Sequence, residues 1–149
     1  VDDPQHELER LVAVEAITRL KARYFRSMDT KDWTGFANVF APDAVMDMQE
    51  EAGAVVEGAE EIAEFVSGSV GEVVTVHHGH MPEITIESET EATGIWAMED
   101  VLEWPPGSPI VSMHGFGHYH ERYVRLDGEW KIAHLRLSRL RRDFVLPEG

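Results

Sequence analysis

Three long stretches in the second half of the chain constrain the fold most. Residues 93–104, 110–126 and 130–139 are rich in β-branched and aromatic side chains. Only the loop Pro105-Pro106-Gly107-Ser108-Pro109 and the turn Asp127-Gly128 separate them, so they read as consecutive antiparallel strands. Upstream, residues 73–78 are β-branched, and in residues 82–87 Ile84 and Ile86 alternate with polar groups. The first third has a different period. Leu8, Leu11, Val12, Ala16, Ile17, Leu20, Tyr24 and Met28 recur at three- and four-residue steps and predict one apolar stripe on a long helix. Asp29-Thr30-Lys31-Asp32 breaks that helix, and Asp32 suits the N-cap of a second carrying Trp33, Phe36, Ala37 and Phe40. Residues 41–43 end it. A short strand over 45–49, a turn at Gly53, an edge strand at Val55-Val56 and a third helix opened by Gly58 follow. Helices followed by a mostly antiparallel sheet make an α+β pattern. With no repeat or long linker, residues 1–149 read as one domain.

Charge narrows the partners. Of 149 residues, 28 are Asp or Glu and 13 are Lys or Arg, a net charge of −15 with histidine neutral. No Lys or Arg occurs between Lys31 and Arg122. Such a surface repels a phosphate backbone or an anionic bilayer, so neither nucleic acid nor membrane is expected as a partner. Cysteine is absent, which removes disulfides, thiolate nucleophiles and Cys-ligated zinc. The first residues lack the basic and apolar regions of a signal peptide, and no apolar run has the roughly 20 residues of a membrane span. A cytoplasmic location is the expectation.

A curved sheet closing on a helix leaves a cone-shaped cavity, and strand parity indicates which side chains share it. Three sets mix large apolar groups with ionisable ones, as the wall of a pocket for a mostly apolar ligand requires. They are Trp96, Met98 and Asp100; His114, Phe116, His118 and His120; and Trp130, Ile132, His134, Arg136 and Ser138. The plainer alternative is an ordinary core with polar groups at strand ends.

Seven of the eight histidines lie from position 77 onward. A metal site is one reading, because His118 and His120 stand two apart with Glu121 beside them. It lacks a third ligand at set spacing, and neither an HExxH helix nor an Asp-rich calcium loop is present. No metal and no cofactor are expected. The other reading is a histidine general base oriented by a carboxylate. Asp29 ends the first helix just beyond Tyr24 and Phe25, where it can accept the N–H of a strand imidazole and fix its tautomer. Taken alone, Asp29 could equally be a helix terminator and Tyr24 a core aromatic.

The run from Ile17 to Asp29, Asp32-Trp33, and Phe40-Ala41-Pro42-Asp43-Ala44-Val45 resembles the opening of SnoaL-like proteins of the nuclear transport factor 2-like superfamily. Residues 117–125 and Asp127-Gly128-Glu129-Trp130-Lys131-Ile132-Ala133-His134 resemble their ending. The resemblance spans nearly the whole chain. It implies a cone-shaped α+β barrel, helices packed on a curved, mostly antiparallel sheet around a deep pocket. That superfold hosts dehydratases, isomerases, cyclases, hydrolases and non-catalytic subunits. Within it the chain is most similar to the branch of bile-acid 7-alpha-dehydratase, lindane dehydrochlorinase and scytalone dehydratase. There the likeness implies Asp29 orienting His77, 48 positions later, a tyrosine at Tyr24, a pocket carboxylate at Asp100, and a basic group near His134 or Arg136. Tyr24 stands where the dehydrochlorinase has lysine, which argues against chloride elimination. The Asp-Arg-Asp set of limonene epoxide hydrolase is not found.

The expectation is therefore a cofactor-independent dehydratase acting on a small hydrophobic cyclic substrate of steroid, terpenoid or polyketide type. His77 would be the base and Tyr24, with Asp100 or His118, the electrophilic partner. Phe25, Trp96, Met98, Phe116, His118, His134 and Arg136 would contact substrate. An isomerase or cyclase, or a ligand-binding or assembly module without chemistry, are the alternatives. Relatives pair through the outer sheet face, so a homo-oligomer (dimer or trimer) is expected. The cluster Arg136, Arg139, Arg141 and Arg142 reads either as salt bridges to acidic helices or another subunit, or as a seat for a substrate carboxylate or coenzyme A tail.

Overall fold

A computed structural model describes residues 3–149. Helix α1 (Pro4–Asp29) is followed by α2 (Trp33–Asn38), β1 (Phe40–Met48), α3 (Gln49–Ala52), β2 (Ala54–Glu57) and α4 (Ala59–Val70). Four long strands complete the chain: β3 (Val74–Ile86), β4 (Glu91–Glu103), β5 (Ser112–Leu126) and β6 (Glu129–Val145). They form one six-stranded sheet in the order β2-β1-β6-β5-β4-β3. Every pairing is antiparallel except β1 with β6. The helices pack on one face of this curved sheet, which gives the α+β architecture. Among the described residues no helix is long and apolar enough to cross a membrane.

Local chemistry explains where α1 begins and ends. The Asp3 carboxylate accepts from the Gln5 backbone N–H at 3.2 Å, and Pro4 occupies the first turn, where its missing N–H costs nothing. At the other end Lys31 adopts φ 61°, the left-handed conformation that stops a helix. Asp32 then caps α2 by accepting from Gly35 N–H at 3.0 Å. Asp29 is thereby held at a rigid helix end rather than in a loop. Ile17, Leu20, Tyr24 and Met28 of α1 enter the core with Phe36, Phe40, Ile62, Tyr123, Ile132 and Leu135. The N-terminal half of the predicted stripe does not follow them. Leu8 and Val12 are 54% and 61% exposed and line an open cleft between α1 and the sheet.

Other boundaries differ from the sequence expectation for traceable reasons. Phe40 opens β1 instead of closing α2, since β1 pairs with β6 from Phe40 onward. Residues 74–86 form one strand, with its register shifted between His80 and Glu83 and Met81 at φ 33°. That is a bulge, not the break expected between two strands. Strand β6 runs on to Val145, six residues past its expected end at Arg139, because Arg141, Arg142 and Asp143 still pair with β5.

Gly79 sits where α1 meets β3. A Cβ there would lie 2.7 Å from Phe25 Cε2 and 3.0 Å from Trp96 Cε3, two buried rings with little room to retreat. Gly79→Ala is expected to lower unfolding stability by about 1–3 kcal/mol through overpacking, read from the urea midpoint.

Candidate active site

The C-terminal end of α1 delivers Asp29 to β3. One carboxylate oxygen, Oδ2, accepts the His77 backbone N–H at 2.8 Å. The other, Oδ1, lies 2.7 Å from His77 Nδ1 and also accepts the Thr75 hydroxyl at 2.9 Å. Thr75 in turn accepts from Lys31 Nζ at 3.0 Å. Two bonds to one residue fix the His77 ring relative to its own backbone and set the tautomer. With Nδ1–H donating to Asp29, Nε2 is left with its lone pair. The Phe25 ring stacks on the imidazole at a centroid distance of 6.3 Å and an interplanar angle of 15°.

Burial raises the proton affinity of the Asp29 carboxyl. The hydrogen bonds from the His77 ring and backbone, the His77 charge and the Thr75 hydroxyl outweigh it, and the carboxyl falls below its ordinary 3.8. A carboxyl depressed on folding contributes stability that is present above pH 3.8 and lost as pH falls through the folded value. The difference in urea midpoint between the wild type and Asp29→Asn should therefore shrink from pH 5.5 to pH 3.

Asp100 faces His77 across the β3–β4 register, with Oδ2 at 3.7 Å from Nε2. Its other neighbour is Arg139 of β6, whose Nη1 donates to Oδ1 at 2.6 Å and Nη2 to Oδ2 at 3.0 Å. Gly115 lies between them, where a Cβ would overlap both the guanidinium and the carboxylate. Arg139 also donates from Nε and Nη2 to Glu51 of α3, both at 2.8 Å. The buried side chains of Trp96 and Met98 lie on the same face of β4 as Asp100. Tyr24 packs edge-on against Tyr119 at 5.6 Å. Burial chiefly raises the proton affinity of both phenols, so each keeps its O–H at neutral pH.

Beneath these groups a second polar cluster is sealed in the core. Lys21 Nζ donates to Glu121 Oε2 at 2.8 Å, and Tyr123 O–H donates to Glu121 Oε1 at 2.7 Å. Trp96 Nε1 donates to the Tyr123 oxygen at 2.8 Å. The ammonium lies 3.6 Å and 3.5 Å from the ring centroids of Tyr24 and Tyr119.

The structure brings Tyr24, Phe25, Asp29, His77, Trp96, Met98 and Asp100 to the helix-covered side of the sheet. It does not bring Phe116, His118, His134 or Arg136 there. On β5 the inward set is Met113, Gly115, Gly117, Tyr119, Glu121 and Tyr123, because antiparallel partners share a face and these residues oppose the inward groups of β4. Phe116 instead stacks on His114 outside, at 4.6 Å. His118 pairs outside with Ser138, which hydrogen-bonds His120. On β6 the register with β5 shifts at Ala133, an extra residue that reverses the parity of the residues from there to Arg139, and a second extra residue, Leu140, reverses it again. His134 and Arg136 are turned outward, and Arg136 meets Glu50 at 3.5 Å. Leu135, Leu137 and Arg139 turn inward. Arg139 is thus the basic group of the last strand that reaches the site, not His134 or Arg136.

Two clefts of about 650 and 820 Å³ lie away from this cluster. One is lined by α2, the start of β1 and the turn at Leu126 and Asp127; the other runs between the first half of α1, the β3–β4 turn and Trp130. Among the described residues no group of three or more His, Asp or Glu is arranged to hold a metal ion.

Comparison with known proteins agrees with this architecture. The SnoaL-like domain matches residues 9–136. A Gibberella zeae protein named "Probable cyclase FGR4" is 25% identical over 137 residues, covering 86% of this chain and 91% of that protein. Among solved structures, a scytalone dehydratase-like protein of Novosphingobium aromaticivorans superposes with a TM-score of 0.82 at 21% identity, over 95% of this chain and 93% of that one. The hexachlorocyclohexane dehydrochlorinase LinA-type3 of Novosphingobium barchaimii gives 0.81 at 22%, over 93% and 94%. The family match runs from the helix that carries Asp29 through the strands that carry His77 and Asp100, and the chain belongs to the SnoaL-like domain family of the nuclear transport factor 2-like superfamily.

Proposed function

We propose that the protein is a cofactor-independent lyase, a dehydratase that works by His77/Asp29 acid–base chemistry on a small hydrophobic cyclic substrate. The observation that carries this reading is the pair of bonds from His77 to Asp29, at 2.7 and 2.8 Å, which anchors the ring through Nδ1 and turns Nε2 away from that carboxylate as the reacting nitrogen. Nε2 takes a proton from the carbon next to a carbonyl, and the C–H electron pair moves into the enolate. The imidazolium so formed lies between two carboxylates, Asp29 at 2.7 Å from Nδ1 and Asp100 at 3.7 Å from Nε2. Loss of the β-hydroxyl re-forms the carbonyl, and the departing oxygen takes a proton from imidazolium or from a phenol of the Tyr24–Tyr119 pair. Phe25, Trp96 and Met98 supply apolar wall. His118, on the outer face, has no part in it.

The "Probable cyclase FGR4" relative favours a second reading, in which the same base starts an isomerisation or ring closure. One experiment separates the outcomes. Cyclic β-hydroxy ketones are incubated in D2O and followed by NMR. Dehydration gives an enone, isomerisation returns deuterium at a new carbon, and a protein without chemistry gives neither above background. Exchange that continues unchanged in His77→Gln would overturn the assignment of the base.

A further inference from the structure

The four-residue helix α3 holds a carboxylate that the acid–base chemistry does not use. Glu51 grips the Nε/Nη2 edge of Arg139 side-on, with two parallel bonds of 2.8 Å, while Asp100 holds the Nη1/Nη2 edge. One cation therefore serves two carboxylates, although Asp100 alone would neutralise it. Arg142 also approaches Glu51, at 3.7 Å. The three side chains are graded in exposure: Asp100 is 3% exposed, Arg139 10% and Glu51 18%. Asp100 is the most deeply buried of the three, and Glu51, the most exposed, is carried by a short helix that ends at Gly53 with φ 68°. Other cations near the cone are engaged, Lys21 by Glu121 and Lys31 by Thr75.

We propose that the Nε/Nη2 edge of Arg139 is the seat for a carboxylate carried by the ring substrate, and that Glu51 is an internal competitor that selects for such acids. The proposal rests on the reading that His77 marks the reacting carbon. It names the substrate class: a hydrophobic cyclic acid whose carboxylate lies toward α3. An incoming carboxylate can exchange with Glu51 bond for bond, since the guanidinium fork accepts any planar carboxylate side-on. A neutral ring cannot. Displacing Glu51 would cost it two charge-assisted bonds and leave the guanidinium edge unpaired, so Glu51 acts against neutral analogues.

Binding of 2-naphthoate and of its neutral twin 2-naphthamide, by isothermal titration calorimetry, tests the seat. Glu51→Gln should bind naphthoate about tenfold or more tightly than the wild type, with naphthamide changed by less than about threefold. Glu50→Gln removes the same charge from the same helix without freeing Arg139, and it should leave both affinities within about threefold. An equal gain in Glu50→Gln reduces the effect to net charge and overturns the proposal. So does an equal gain for the amide, or no gain in a folded Glu51→Gln. Should Glu51→Gln fail to fold, Glu51→Asp, which draws the carboxylate back by one methylene, carries the same expectation. His77→Gln keeps the preference for naphthoate if the seat is real, whatever becomes of the base. Loss of D2O exchange chemistry and loss of the carboxylate preference are thus read separately.

Discussion

Lys21→Met is expected to lower the stability of the protein by about 3–5 kcal/mol, and Glu121→Gln added to it should restore most of that loss. Both partners are fully buried, with Lys21 Nζ 2.8 Å from Glu121 Oε2. Burial disfavours the ammonium more than Glu121 supports it, and its pKa is lowered from 10.5 to about 8. Removing the amine alone leaves Glu121 charged in the core, satisfied only by the Tyr123 hydroxyl. That is the costly case: a buried charge without its partner, rather than a missing pair. The double variant removes both charges, and glutamine still accepts from Tyr123. A drop of this size in a domain of 149 residues corresponds to about 6–20 °C in melting temperature. The unfolded chain keeps the Lys21 proton up to 10.5 and the native one only to about 8, so the Lys21 contribution to stability rises with pH between those values. A double variant less stable than Lys21→Met would show that the pair is not the unit.

Asp29→Asn should lower turnover by about 10²–10⁴-fold with KM little changed. The carboxylate accepts on both oxygens, Oδ1 from the Thr75 hydroxyl and the imidazole, Oδ2 from the His77 backbone. Asparagine keeps one acceptor and turns the other into a donor. If its oxygen stays with the backbone N–H, its amide faces Nδ1, and the ring must move its proton to Nε2. The reactive lone pair is then lost although the imidazole has hardly moved. Nitrogen-15 shifts of His77 read the tautomer directly. A full loss of turnover with the Nδ1–H tautomer retained would mean that Asp29 acts through charge rather than through orientation.

What the sequence made legible followed from local chemistry. The stripe of α1, the cap at Asp32 and the run of long strands all rest on patterns within a dozen residues. The placing of Asp29 opposite His77 came from resemblance to a family, on a spacing that neither residue reveals alone. Face assignments on β5 and β6 failed because parity carries no absolute sign. Histidines drew attention to the outer set of β5, while Gly115, Gly117 and Tyr119 were the ones opposing Asp100, Met98 and Trp96. Lys21 and Glu121 stand 100 residues apart, and nothing near either one announces the other. Arg139 was visible only as one of a surface cluster, since its inward turn depends on the register shift at Ala133.

That shift makes the chemistry of β6 a matter of counting. Removing Ala133 itself would leave Arg139 facing inward, because the residues on either side of the bulge keep their faces, whereas losing one residue after it, such as Leu137, would turn Arg139 to the outside with its ligands abandoned. No side chain that touches His77 would have been altered. In a lineage of such proteins, a one-residue gap within the last strand would silence or re-purpose the site, while a position-by-position comparison of its other residues still looked intact.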